Sequence, residues 1–259
     1  MIRGLPAMEF TDVSVDQPRR LQLRIDFESI PSHEDVLSRV ADACNAFCRA
    51  TDFGAFARQG GRGLSFANLV RSPVRDDRSL LAEIDFLAID NGSLQFLRNM
   101  LLGLNDAGAL VKRLALGDPG SSGLLRRLPL IDHLNESSAY PRLPGPISMG
   151  EIRFAASDFS KSRRVLIEFD GFPRRAQIDA LESCLGNWYD LLELGAFCQP
   201  FGTPGETVNI RGRLARFDSS SVEAHIQRYV GSEVGFKVLG SMLDHYAGRV
   251  HPIVGVEVD

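Results

Sequence analysis

No stretch of this chain approaches the roughly twenty consecutive apolar residues that a membrane-crossing helix requires. The N-terminal Met-Ile-Arg-Gly-Leu-Pro segment carries a positive charge with no apolar core behind it, so no secretory leader is expected. Cysteine is scarce: Cys44, Cys48, Cys184 and Cys198 make no CxxC pair, which argues against a zinc ribbon and against a disulfide framework. There is no HExxH, no Walker spacing and no GxGxxG. A basic surplus is missing too. Lys and Arg number 29 against 33 Asp and Glu, a net charge of −4, which is the wrong sign for a protein that must meet phosphates. These absences lead us to expect a cytoplasmic chain with reduced thiols, and no metal, cofactor, membrane anchor or nucleic-acid partner.

What is present is a globular composition, 44% hydrophobic and 24% charged over 259 residues, enough for two domains with cores of their own. It is also a pattern written twice. Residues 9–117 and 151–259 follow one plan, offset by about 142 positions. The first copy reads Leu23-Arg24-Ile25-Asp26-Phe27 and then Pro31; the second reads Leu166-Ile167-Glu168-Phe169-Asp170 and then Pro173. Gly54-Ala55-Phe56 answers Gly195-Ala196-Phe197, and Ala107-Gly108 answers Ala247-Gly248. Such self-similarity points to duplication of a small domain. Residues 118–150, with Gly, Pro and Ser at both ends and an apolar stretch from Leu124 to Ile131 inside, read as a linker between the copies.

Within each copy the periodicity changes along the chain. Residues 9–15 and 151–155 alternate in polarity, which predicts a half-buried strand. The next strand is clearer: Leu21, Leu23, Ile25 and Phe27 alternate with Gln22, Arg24 and Asp26, and Val165, Ile167 and Phe169 repeat the pattern. These two strands are expected to form a hairpin. A helix follows, with Ser32 and Asp35 close to capping-box spacing. Its apolar stripe is Leu37, Val40, Cys44 and Phe47 in copy one and Ile178, Leu181, Leu185 and Trp188 in copy two. Gly54 and Gly195 are placed to stop it in the left-handed conformation. Strands are predicted over residues 64–70 and 80–89 (207–216 and 222–230 in copy two). A helix follows over 94–104 (234–245), then a closing strand over 110–116 (250–258). The expected fold class is α+β: a tandem duplication of a ferredoxin-like (split βαββαβ) unit, each with an extra N-terminal strand, its antiparallel sheet carrying both helices on one face. Pairing of the repeats about a pseudo-twofold axis within a monomer would cover surface as a homodimer does.

Chemistry-bearing residues are few. His245 and His251 bracket the end of the last helix beside Asp244, and with His225 and Tyr229 they are the residues of copy two that could build a site. The alternative is that His245 sits favourably at a helix C-terminus and His251 in the last strand. His33 and His133 have no partner at a recognised spacing. Cys44 and Cys48 stand at i and i+4, but Leu185 and Tyr189 replace them in copy two, which favours packing over ligation. Gln59-Gly60-Gly61-Arg62-Gly63 resembles an anion-binding loop in composition alone. Trp188 and Tyr189 are adjacent on the helix, so one is expected to leave the apolar stripe and line a surface; both are candidate binding residues.

Two classes of function follow. A compact, acidic, duplicated chain with no visible nucleophile–base–orienter set is similar in profile to bacterial immunity proteins, which occlude a toxin's active site; a basic toxin-like protein is the expected partner. The duplication also resembles the dimeric α/β-barrel group, which implies a small-molecule cavity and makes His225, His245 and His251 candidate catalytic residues. The paired arginines, Arg19-Arg20, Arg126-Arg127, Arg163-Arg164 and Arg174-Arg175, give the architecture a likeness to the RNA-processing endonucleases of CRISPR systems. Solvated strand ends are the simpler expectation for them.

Overall fold

A computed structural model of the chain describes residues 7–10, 19–29, 35–56, 66–87, 89, 91–104, 109–118, 153–154, 163–197, 214–226 and 233–258. The chain divides into two units, Met1–Asp52 with Gly63–Pro141, and Phe53–Arg62 with Arg142–Asp259. Each is α+β, built on a mainly antiparallel sheet and two helices.

The first unit contains β1 (Ala7–Phe10), β2 (Arg19–Ser29), α1 (Asp35–Asp52), β3 (Phe66–Asp76), β4 (Ser79–Leu87), α2 (Asn91–Leu102) and β5 (Leu110–Gly117). The strand order is β1-β5-β2-β4-β3. Strands β5, β2, β4 and β3 pair antiparallel, and β1 adds to the outer edge of β5 in parallel. This corrects the expected hairpin between the first two strands. Both edges of β2 are already taken by β4 and β5, so the N-terminal strand is left with an edge of the sheet, where it runs parallel to β5.

The second unit repeats this plan with β6 (Arg153–Phe154), β7 (Arg163–Phe169), α3 (Arg175–Glu193), β8 (Ala215–Arg216), β9 (Ser221–Ile226), α4 (Glu233–Arg249) and β10 (Ile253–Val258), in the order β6-β10-β7-β9-β8. Here too the first strand joins the last in parallel. The correspondence extends to single hydrogen bonds. Phe27 donates to the carbonyl of Arg78 at 3.1 Å, and Phe169 donates to that of Ser220 at 2.9 Å. Gly54 and Gly195 have φ of 75° and 77°. These matches are compatible with a duplicated unit.

Alternation dictates the cores. In the first unit Leu21, Leu23, Ile25 and Phe27 of β2 and Leu80, Ala82, Ile84 and Phe86 of β4 are buried on one face. Phe86 meets Phe47 of α1 edge-on, with ring centroids 6.5 Å apart. Leu23 and Leu114 close on Leu94, Leu97 and Leu101 of α2. In the second unit Val165, Ile167 and Phe169 of β7 and Val222, Ala224 and Ile226 of β9 are buried likewise. α3 starts at Arg174, whose backbone N–H donates to Gln177 Oε1 at 2.7 Å, half of a capping box. It ends in a Schellman arrangement: Gly195 donates to Leu192 and Ala196 to Leu191, at 3.0 and 2.9 Å. The capping residue expected for α1, Ser32, lies outside the described residues.

The long edge strand β3 is guarded against pairing with other chains. An extra residue bulges between Arg71 and Val74, Pro73 sits in that bulge without an N–H to offer, and Arg71 and Arg75 carry charge.

Candidate functional site

Strand alternation sends the polar residues of β2, Arg20, Gln22, Arg24 and Asp26, to the face opposite the buried one. The register then places acids against bases. Arg20 is opposite Asp85 and Asp26 is opposite Arg113. Arg20 grips Asp85 with both arms of its fork, Nε to Oδ1 at 2.8 Å and Nη2 to Oδ2 at 3.1 Å. Arg24 donates from Nε to Asp26 Oδ1 at 2.7 Å and from Nη2 to Ser79 Oγ at 3.0 Å, and Ser79 Oγ donates to the same Asp26 oxygen at 2.6 Å. Arg113 approaches the other Asp26 oxygen at 3.8 Å, and Arg71 lies 3.6 Å from Glu83. Two charges shift with this geometry. Burial pushes the Asp26 carboxyl up, but the hydrogen bonds from Ser79 and Arg24 outweigh it and hold the group below the usual carboxylate range. The hydrogen bonds from Arg20 lower Asp85. The arginines remain open to solvent, with side-chain exposure of 50% for Arg20, 45% for Arg24 and 61% for Arg71.

The same face of the second unit is built differently. Glu223, one of its half-buried acids, takes His225 two residues along β9 as a close partner and faces Arg164 of β7 at 3.9 Å. The shared 142-residue offset puts His225 where the first unit has Glu83, and Glu223 where it has Leu81. The two copies therefore present different charge patterns on one scaffold.

The candidate histidines are placed apart. Arg164 pairs with His225 near the start of β7, whereas His251 Nε2 is 2.8 Å from the Gly171 carbonyl and its ring is 5.7 Å from that of Phe169, past the other end of the strand. Five residues of strand separate Arg164 from Phe169, about 17 Å. His245 lies on α4, with Gly54 so close that a Cβ on the glycine would fall 2.6 Å from the His245 Cβ. No group of three or more His, Cys, Asp or Glu suited to a metal occurs among the described residues. Tyr229, His33, His133, the Gly60–Gly63 loop, Cys198 and Arg126-Arg127 lie outside those residues.

Trp188 and Tyr189 are both interior, 0% and 4% exposed, so neither ring is offered to solvent. Trp188 Nε1 donates to the Gly235 carbonyl at 2.8 Å and its ring lies 5.7 Å from that of Phe236. The Tyr189 hydroxyl donates to the carbonyl of His225 at 3.2 Å. Each aromatic satisfies its polar atom and packs the rest. The thiols are interior too. Burial raises Cys44 far above the ordinary thiol range, and pushes Cys48 and Cys184 up to about 12, so none of the three is a nucleophile at neutral pH. Among the paired arginines, Arg19 binds Asp118 through both fork nitrogens at 3.0 and 2.7 Å, and Arg175 lies 3.0 Å from Asp179.

The ion-pair face of the first unit was only half visible in the sequence. Alternation marks Arg24 and Asp26 as wet, but their cross-strand partners follow from strand order, which periodicity does not carry. No protein-family model matches this chain, and no curated protein matches it. No helix among the described residues is long and apolar enough to cross a membrane.

Proposed function

We propose that this chain is a non-catalytic protein-binding module, a tandem of ferredoxin-like units that docks a partner through the charged sheet faces, in the manner of bacterial immunity proteins that neutralise a toxin. The order β5-β2-β4-β3, with helices between the first and second and between the third and fourth of these strands in sequence, supports the ferredoxin-like reading. One observation carries the function: the exposed face of the first unit, where Arg20–Asp85 and Arg24–Ser79–Asp26–Arg113 hold their side chains in fixed geometry. Exposed pairs of this kind add little to folding stability, typically about 0–1 kcal/mol each. Their value lies in presenting pre-ordered donors and acceptors, which lowers the side-chain entropy lost on docking. Charges of both signs at fixed positions select a partner by complementarity and speed its arrival.

The experiment is gentle purification from the native host and native mass spectrometry, followed by measurement of the recovered complex with the double variant Arg20→Glu, Arg24→Glu. A stoichiometric protein partner whose affinity falls at least tenfold in the variant, and falls with added salt, supports the reading. A chain recovered alone, or a partner bound equally well by the variant, refutes it.

A second reading rests on His225 and Glu223. A histidine held by a half-buried carboxylate is the arrangement a general base requires, as the dimeric α/β-barrel alternative would use. Loss of a small-molecule ligand on His225→Ala, with the protein partner absent, would favour it.

A further inference from the structure

Strand register fixes which residue of one copy stands where in the other. Asp26 of β2 is opposite Ser79 and Arg113, and Glu168 of β7 is opposite Ser221 and Gly255. The bulge falls at the same place in both, with Lys112 and Val254 as the extra residues. In the first unit the chain itself satisfies the carboxylate: Arg24 Nε is 2.7 Å from Asp26 Oδ1 and Arg113 Nη1 is 3.8 Å from Oδ2. The second unit keeps the acid and loses both cations. Leu166 takes the place of Arg24 and Gly255 that of Arg113. Glu168 is exposed, and no cation meets it among the described residues. The glycine opens the position. A Cβ there would fall 2.7 Å from Glu168 Oε2, so the carboxylate lies across β10 over the Gly255 backbone. Glu257, opposite Leu166, is a second exposed acid on this face.

Apolar groups replace charges around that acid. The turns before β4 and β9 align on one contact, Arg75 Nε to the Asp77 carbonyl at 3.3 Å and Arg216 Nε to the Asp218 carbonyl at 2.8 Å, which sets Phe217 at the position of Asp76. The Phe217 N–H donates to the Ser221 carbonyl at 3.0 Å, continuing a row of Phe217, Ser221, Glu168 and Gly255 across the sheet. Phe217 is 53% exposed and Val254 57%. Arg24, Asp76 and Lys112 of the first unit are thus Leu166, Phe217 and Val254 in the second. The first copy shows that the fold accepts a charge at each place, so core formation does not account for the exposed apolar groups.

We propose that the open sheet face of the second unit binds an arginine-bearing segment of the partner protein, the arginine on Glu168 above Gly255 and its apolar neighbours on Leu166, Phe217 and Val254. The inference rests on the protein-binding reading and adds the chemistry of what is bound. A guanidinium fits better than an ammonium because its planar fork matches a carboxylate, and both cations that hold the equivalent acid in the first unit are arginines. An arginine set among apolar contacts is the usual make-up of an interface hot spot, and Glu257 adds attraction of the right sign.

The probe is the peptide acetyl-Leu-Arg-Val-Arg-Leu-amide, titrated into the isotope-labelled full chain and followed by NMR. The control peptide carries citrulline, neutral and of the same shape, for each arginine. Saturable shifts are expected at the amides of Glu168, Gly255, Glu257 and Phe217, with the citrulline peptide about tenfold weaker. Glu168→Gln is expected to weaken the arginine peptide by about fivefold or more. Gly255→Arg supplies the acid with a cation from its own chain, as Arg113 does in the first unit, and is expected to abolish the response; should it fail to fold, Glu168→Gln decides. No saturable shift, equal binding of the citrulline peptide, full binding by Glu168→Gln, or shifts confined to the first unit would each overturn the proposal. In the native complex, a partner weakened by Arg20→Glu, Arg24→Glu but indifferent to Glu168→Gln would overturn this inference and leave the protein-binding reading standing. A chain recovered without a partner ends both.

Discussion

Thr51, in the last turn of α1, is 2% exposed, and its hydroxyl serves two elements. It donates to the Cys48 carbonyl at 2.6 Å and accepts from the backbone N–H of Ala67 in β3 at 3.0 Å. Thr51→Val keeps the shape and removes the acceptor, leaving a buried N–H unpaired. We expect a loss of about 1–3 kcal/mol in urea unfolding, with no change in the far-ultraviolet spectrum. Titration of buried groups gives a second outcome at this scale. Burial raises Cys48 and Cys184 from 9.0 to about 12, and raises Tyr246 from 10.0 to about 12. The unfolded chain releases these protons first, so the native state binds more of them between about pH 9 and 12, and stability falls as pH rises through that window. A urea midpoint lower at pH 10.5 than at pH 8 checks this. Unreactivity of Cys44, Cys48 and Cys184 toward iodoacetamide at pH 8, mapped by peptide mass spectrometry, is its companion.

At the scale of elements, the two glycines that end the first helix of each copy were legible, because a C-terminal stop with positive φ has a strong residue preference and a fixed place after an apolar stripe. The helices themselves were legible for the same reason: Val40, Cys44 and Phe47, and Leu181, Leu185 and Trp188, recur at helical spacing and are buried. The pairing of β1 with β5 was not, since a short alternating segment states a strand but not its neighbour or its direction. Trp188 and Tyr189 show a related limit. Adjacent helical positions diverge by about 100°, which predicts one buried and one outward ring, yet α3 is buried broadly enough to enclose both. Glycine conformation makes a graded prediction. Gly171 has φ of 78°, and a methyl group added there would meet nothing within 4 Å, so Gly171→Ala carries backbone strain alone, about 1–2 kcal/mol. Gly54 has φ of 75° and would also drive its Cβ to 2.6 Å from the His245 side chain. Gly54→Ala is expected to lower the melting temperature by clearly more than Gly171→Ala, a comparison that differential scanning calorimetry makes directly.

At the scale of the whole molecule, the repeated pattern was the most legible feature and chemistry the least. Two copies of one pattern over residues 9–117 and 151–259 constrain each other's reading, so an ambiguous strand in one is supported by its counterpart. The residues proposed to act, Arg20, Asp85 and Asp26, belong to no motif, because their role comes from neighbours brought together across strands. The charged face also yields an expectation for the chain in bulk. Its pairs are exposed and screened by salt, so raising sodium chloride from about 0.05 to 0.5 M should leave the urea midpoint of unfolding nearly unchanged while weakening the proposed partner complex. A large loss of folding stability over that range would mean that the ion pairs hold the fold rather than present a surface.

The parallel edge pairing bears on how the chain comes off the ribosome. Within the first unit, β5 lies between β1 and β2, so the last strand to be synthesised is the one on which the two earliest strands must meet. Neither β1 nor the open edge of β2 finds its partner until residues 110–117 have cleared the exit tunnel. The β2-β4-β3 part of the sheet can pair once residue 87 is out, whereas β1 and the second edge of β2 must wait for the last strand of the unit, so the late arrival of β5 is what joins the N-terminal strand to the rest.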